Sequence, residues 1–353
     1  MQRRNIHLFL LLAALLFLLA VIIFWYSHSA STLRASDSDF SLDRSMDILR
    51  IEMYDSDRSE EVIMEKKDEQ GRWILNTQFF ANDLAVQQLI NSMSRLRVRQ
   101  PVSFENRIQI DQMLYEDGIT VNFFVQAWRI HLGNIRLFPY QRAYQSFVVG
   151  EDTPDGLSTY MRKSGSQMPF KVHIPALESG IAYLFEPYER EWRDPVIIDM
   201  ERQQISRISV KDINQPEQSY QLMRINAGRF EFFDFDDPTQ KIEMAIDSIR
   251  LERFLSSFGN VHYETLLDEE QELLRNKLMY EQPFMEVAIQ NREGMEVSFV
   301  AHARHMQESM DETEAAVQRD PNRFYIQVNK GEFALAQYYV FSRIMRPLSF
   351  FEN

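Results

Sequence analysis

With 353 residues, 45% of them hydrophobic, the chain can build one or two folded cores, and its formal charge of −14 argues against nucleic acid or anionic lipid as a partner, since their phosphates would repel so acidic a body. It has no cysteine, which excludes disulfides, thiolate metal sites, a cysteine nucleophile and acylation as a lipoprotein. It also lacks a Gly-rich phosphate loop, a Gly-x-Ser-x-Gly elbow and a serine-triad spacing.

Arg3 and Arg4 precede a run from Leu8 to Trp25 that carries no charge, 18 residues of which 14 are Leu, Ile, Phe or Val. A helix crossing a bilayer core needs about 20 apolar residues, and each such side chain favours insertion by roughly 0.3–0.6 kcal/mol. Trp25 and Tyr26 close the run, where amphipathic rings settle at the headgroup level. A cleaved secretory signal ending at Ser27-His28-Ser29-Ala30 is the alternative, but a signal core is usually about 7–15 residues and this run is longer. The expectation is an uncleaved transmembrane signal anchor over 8–26 in the inner membrane. Residues 1–7 are then cytoplasmic, because the first basic residue after the run is Arg34. Residues 27–44, starting in Ser, Thr, Asp and Ala, read as a tether. The body beyond lies in the periplasm or outside the cell. Without Arg3 and Arg4 it holds 36 basic residues against 52 acidic ones, a net −16.

From Ile48 the period changes to that of half-buried strands. Leu49, Ile51 and Met53 alternate with polar neighbours, then come Val62-Ile63-Met64, a turn ending at Gly71, and Arg72-Trp73-Ile74-Leu75. Asn82 or Asp83 caps a helix with Val86, Leu89, Ile90, Met93 and Leu96 on one face. The same order returns 157 residues later. Ile48, Arg50, Ile51, Asp55, Glu60, Gly71 and Arg72 match Ile205, Arg207, Ile208, Asp212, Glu217, Gly228 and Arg229 without a gap. A second helix, starting at Asp247 or Ser248, repeats the apolar spacing with Leu251, Phe254, Leu255, Phe258 and Val261.

Each copy continues with strands. The first has 119–125, 128–132, 146–149 and 159–162; the second has 284–289, 295–301 and 323–328, with Asn291–Gly294 as a hairpin turn. A helical pattern over Phe333–Met345 is stopped by Pro347. The predicted class is α+β: two tandem copies of an antiparallel sheet with helices packed to one side, over 45–200 and 201–353, preceded by one transmembrane helix. Two unrelated inserts separate the matching elements, at 135–144 and, as a possible helix, at 306–317.

Gly150-Glu151-Asp152-Thr153-Pro154-Asp155-Gly156, Thr159-Tyr160-Met161, Pro169-Phe170-Lys171-Val172-His173-Ile174-Pro175 and Trp192-Arg193-Asp194, with Gly71-Arg72-Trp73, form a recognisable set. Over Ile48 to Asp194 the chain resembles the domain-of-unknown-function family numbered forty-three-forty. Ala176 and Tyr115-Glu116-Asp117-Gly118-Ile119 depart from its pattern. The resemblance implies a membrane-anchored bacterial envelope protein, some members being encoded with gliding-motility-type ABC transporter components, and implies no established reaction.

The chemistry-bearing residues have plain alternatives. His302 and His305 lack the spacing and glutamate of a zinc helix and read as exposed loop histidines; continued as a strand, they would face opposite sides. Asp234, Asp236 and Asp237 lack the glycine and glutamate of a calcium loop and read as an acidic turn. Asp152 to Gly156 reads as a turn, His173 as a sheet residue, Trp192 as packed between the copies and Arg193 as paired with a carboxylate. No cofactor, metal or catalytic residue is assigned. The best contact surface is the insert carrying Arg136, Phe138, Tyr140, Arg142 and Tyr144, because Arg and aromatic residues are enriched where partners bind.

The sequence therefore favours a non-catalytic, single-pass envelope protein, a scaffold or accessory subunit of a membrane assembly with transporter-type or other envelope proteins as partners. The alternatives are a lipid- or glycan-binding protein with a pocket between the copies, and a hydrolase built on Asp152, Asp155 or the Asp234 cluster.

Overall fold

The structure, a computed structural model, describes residues 16–18, 35–66, 71–132, 135–226, 228–267, 271–306 and 318–353. The apolar run over 8–25 lies outside these apart from 16–18, as do the start of the tether up to residue 34 and all of the second insert except Met306. No helix among the described residues is long and apolar enough to cross a membrane. The chain divides into two units, Met1–Arg193 and Asp194–Asn353.

In the first unit nine strands form one sheet. They are β1 (Ile48–Tyr54), β2 (Glu61–Lys66), β3 (Trp73–Leu75), β4 (Phe79–Phe80), β5 (Arg97–Pro101), β6 (Ile119–Leu132), β7 (Ile135–Asp152), β8 (Thr159–Lys163) and β9 (Pro169–His173). Their order is β4-β3-β2-β1-β6-β7-β8-β9-β5 and every pairing is antiparallel. Helix α1 (Asp83–Met93) is capped by Asn82, whose Oδ1 accepts from the Ala85 N–H at 3.2 Å, and it buries Val86, Leu89 and Met93 in the unit's core. Helix α2 (Phe104–Glu116) has no counterpart in the sequence reading. It buries Leu114 and leaves Phe104, Ile108 and Tyr115 in solvent, so it lacks the inward apolar stripe that marks a helix.

Two details differ from expectation. A β-bulge between Ile48 and Arg50 shifts the alternation of β1, so Ile48 is buried and Leu49 only half so. Phe40 and Leu42, within the stretch read as tether, belong to the core: Phe40 meets Phe147 and Phe170 edge to face at 5.9 and 6.0 Å.

The second unit has β10 (Val196–Ile198) paired with β14 (Val261–His262), and an eight-stranded sheet. The sheet contains β11 (Ile205–Asp212), β12 (Tyr220–Arg224), β13 (Phe230–Phe233), β15 (Thr265–Leu266), β16 (Met285–Asn291), β17 (Glu296–Met306), β18 (Gln318–Val328) and β19 (Phe333–Gln337). Its order, β13-β12-β11-β16-β17-β18-β19-β15, repeats the first sheet strand for strand from β3 to β5. Helices α3 (Ser248–Leu255), capped by Asp247, and α4 (Glu272–Tyr280) fall where α1 and α2 fall. The bulge returns as well, between Ile205 and Arg207. A shared irregularity at the offset of the sequence identities is stronger evidence of a repeat than the identities themselves. The helix expected from Phe333 begins only at Tyr338. Phe333–Gln337 is a strand, because pairing with β18 and β15 outweighs the helix propensity of its Ala and Leu residues. Tyr220, Phe232, Phe254 and Phe351 make one aromatic cluster that holds the C-terminus in the core.

Candidate functional site

The insert at 135–144 is not a separate loop. It is the return strand of a hairpin that runs past the rest of the first sheet. β6 leaves its neighbour β1 at Val125, which pairs with Ile48, and β7 joins β8 only at Phe147, opposite Lys163. Between those points the two strands pair with each other alone, through Gln126↔Gln141, Ala127↔Tyr140, Trp128↔Pro139, Ile130↔Leu137, His131↔Arg136 and Leu132↔Ile135. The strand break expected at Gln126 and Ala127 is absent.

Directly opposed residues share a face of a two-stranded ribbon. Trp128, Ile130, Leu137 and Pro139 therefore lie on one face, and Ala127, Tyr140 and Arg142 on the other. Ile130 is 40% exposed, Leu137 47%, Phe138 63% and Tyr140 40%. Phe138 has φ +59, a left-handed conformation that a side chain other than glycine rarely adopts, and rarer still just before a proline. Such a conformation costs on the order of 1–3 kcal/mol, which the ribbon carries without burying the ring. Arg129 and Arg142 are exposed and have no carboxylate partner among the described residues. From Gly118 to Gly150 the sequence holds three arginines and no Asp or Glu, in a chain with 52 acidic residues.

Of the five residues expected to form a contact surface, Phe138, Tyr140 and Arg142 are exposed on this ribbon. Arg136 is placed by register opposite His131, and its side chain lies outside the described residues. Tyr144 is packed against the core at the ribbon's foot. Trp128, Ile130 and Leu137 are not among the residues expected from sequence; the acid-free stretch around them and the hairpin dipeptide Gly133-Asn134 were the available signals.

The foot is built from the N-terminal segment. Gln145 is buried, and its Nε2 donates to the Ser41 carbonyl at 2.8 Å and, longer, to that of Asp39 at 3.4 Å. Lys163 donates to Gln145 Oε1 and lies over the Phe40 ring; burial pulls its pKa below the usual lysine value against the pull of Asp39 and Asp37.

Several of the remaining chemistry-bearing residues are engaged in local hydrogen bonds and packing. Asp152 Oδ1 accepts from Thr159 Oγ1 at 2.5 Å and from the Ala182 N–H at 3.2 Å, while Thr159 Oγ1 accepts from the Ile181 N–H at 2.7 Å. Asp155 sits below the usual carboxylate range because Thr153 Oγ1 and the Leu157 N–H donate to it, with Arg99 3.6 Å away. Asp234 Oδ1 accepts from the Asp236 and Asp237 N–H groups, and Asp237 from Thr239, an acidic turn as expected. His173 lies on β9 opposite Arg97.

Trp192 belongs to the first unit's core, its Nε1 donating to the Glu186 carbonyl at 2.7 Å. Arg193 is 3.7 Å from Glu189 and stacks over Phe79 with its guanidinium carbon 3.7 Å from the ring centre. His302 and His305 are on β17, not in a loop. A bulge between Ala303 and His305 breaks the alternation, and both rings reach Glu281, His305 Nε2 at 3.5 Å from its carboxylate. Burial lowers the His302 pKa. No group of three or more metal-ligating side chains occurs among the described residues.

A family model described as "Domain of unknown function (DUF4340)" matches residues 73–277, more than half of the chain and parts of both units, and the chain belongs to that family. No curated protein and no solved structure matches it.

Proposed function

We propose that this member of the DUF4340 family is a non-catalytic, single-pass envelope protein. The run 8–26 anchors it in the inner membrane, and its twice-repeated α+β body serves as scaffold or accessory subunit of a larger membrane assembly, of ABC-transporter type. One observation carries the reading. Four side chains of the family motifs that could do chemistry, Asp152, Asp155, Trp192 and Arg193, are each engaged in local hydrogen bonds or packing. Beside them the first unit presents a projecting ribbon. A protruding contact element carried by a folded unit suits a scaffold.

The test is crosslinking in intact membranes, gentle detergent extraction and affinity recovery of the full chain. Stoichiometric companion proteins are expected. Recovery of the chain alone, or a reporter at Asn353 that sits in the cytosol, overturns the proposal.

A further inference from the structure

The repeat supplies its own control for the ribbon. In the second unit, β16 and β17 occupy the places of β6 and β7, and they close with a tight turn at Asn291–Gly294. There Asn291 Oδ1 accepts from the Glu293 and Met295 N–H groups and Gly294 takes φ +87. The second unit's sheet therefore closes at this place without a ribbon. Among the described residues of 126–141 the outer strand edges pair with no further strand, and Arg129, Ile130, Leu137, Phe138 and Tyr140 are exposed.

Where the ribbon points follows from the register. β6 runs antiparallel to β1 and passes it at Ile48, the residue where β1 begins. The ribbon thus projects from the end of the sheet at which the chain enters, and residues 39–41 are hydrogen-bonded to its foot through Gln145. At about 3.4 Å per residue, the stretch from Val125 to Leu132 reaches roughly 24 Å beyond β1. From Asp39 back to Trp25 the chain spans at most about 50 Å when extended. Both the apolar N-terminal run and the ribbon can therefore meet one bilayer.

The ribbon's chemistry suits that surface. One face offers Trp128, Ile130, Leu137 and Pro139, with Phe138 also in solvent, and Arg129, Tyr140 and Arg142 supply the cationic and amphipathic groups that settle among headgroups. An acidic body is repelled by anionic lipid; an acid-free, arginine-bearing arm is the part of it that is not.

We infer that the β6–β7 ribbon is a second membrane attachment, which lies in the anionic headgroup region of the bilayer that holds the N-terminal run. This deepens the scaffold reading and rests on its anchor. It fixes the first unit at two points, so the unit cannot swing freely on its tether.

The absence of cysteine makes the test direct. Full-length chain with Leu137→Cys, carrying an environment-sensitive fluorophore, is reconstituted into vesicles of phosphatidylcholine and phosphatidylglycerol. The control label is at Ile225→Cys, a residue 51% exposed in the second unit. The Leu137→Cys label is expected to be quenched by nitroxides on the lipid chains and to be several-fold less accessible to aqueous iodide than the control. Protection should weaken in pure phosphatidylcholine and in the Arg129→Gln/Arg142→Gln variant, whose exposed sites leave the core untouched. Equal iodide access at both labels overturns the inference. So does protection that grows with protein density in the vesicle, which means a second copy, or that appears only when another envelope protein is added. Flotation of the chain with the vesicles is scored separately. A chain that floats while its ribbon stays in water keeps the anchor and loses the ribbon contact.

Discussion

Gly180 and Asp152 are predicted to be energetically one feature. A Cβ placed on Gly180 would sit on the Asp152 carboxylate, inside van der Waals contact. That carboxylate is the end of a movable side chain, so Gly180→Ala is relieved by swinging Asp152 away. The cost is then the hydrogen bonds Asp152 makes to Thr159 Oγ1 and the Ala182 N–H. Two such bonds are worth about 1–3 kcal/mol together, at the lower end here because Asp152 is exposed to water. Asp152→Ala loses the same bonds and should cost the same. The double variant should therefore cost no more than either single one, a coupling about as large as the single effect.

Tryptophan fluorescence reads the right unit, since Trp73, Trp128 and Trp192 all lie in the first, and a chain beginning at Ala35 omits Trp25. With a urea slope of about 2 kcal/mol per molar, each single variant should lower the midpoint by roughly 0.5–1.5 M. Additive single effects, within about 0.5 kcal/mol, would refute the reasoning, because Gly180 would then be needed for something other than that carboxylate.

Gly118→Ala should be worse and beyond rescue. Its Cβ would strike the Leu114 carbonyl, which is backbone, as well as Val148 Cγ1 at 2.5 Å. A loss of about 1–3 kcal/mol is expected in the same fluorescence assay, and Val148→Ala should not restore it. Arg193→Lys should cost about 0.5–2 kcal/mol, since an ammonium cannot stack flat over Phe79, and an unchanged midpoint would discard the stack as a contributor. Burial holds the His302 pKa below its ordinary 6.5, so below that pH the unfolded chain takes up a proton that the folded unit refuses. The second unit's stability should accordingly fall as pH drops from 6.5, and His302→Gln should flatten that fall. Proton NMR of the His302 ring titrating at or above 6.5 would contradict it.

What the sequence made legible follows how local each signal is. α1 and α3 each combine a capping Asn or Asp with an inward apolar stripe, and both could be read from one window. α2 could not, because its apolar Phe104, Ile108 and Tyr115 face solvent. It is tied down instead by Leu114, by Asp111 with Arg162 at 2.8 Å and by Arg107 donating to the Gln167 carbonyl, and Gly150 leaves the room that Met113 and Leu114 fill. β19 was misread because the alternation of buried Ala334 and Ala336 is too weak to outvote helix propensity, and only pairing across β18 decides it. The candidate site was half visible. Aromatic and arginine residues marked the return strand and Gly133-Asn134 is a two-residue hairpin signal between the two runs, but Pro139 within the second run argues against a strand and made it read as a loop.

The short turn of the second unit can stand in for the ribbon of the first. If residues 126–141 are dispensable to the sheet, replacing them by the Asn-Arg-Glu-Gly turn of residues 291–294 should leave the first unit folded. β6 and β7 would still pair from Ile119↔Val149 to Phe124↔Ala143, and Gln145 would still hold residues 39–41. The residues removed contribute no member to the first unit's core. A shorter hairpin closes at slightly lower entropic cost, a few tenths of a kcal/mol, and relief of the Phe138 conformation adds about 1–3 kcal/mol in the same direction. The grafted chain should thus be as stable as the original or more so, by urea unfolding read on Trp73 and Trp192, while losing whatever contact the ribbon makes. A graft that unfolds would show that the ribbon braces the sheet. Its open edges, left-handed Phe138 and acid-free face would then need a structural explanation instead of a functional one.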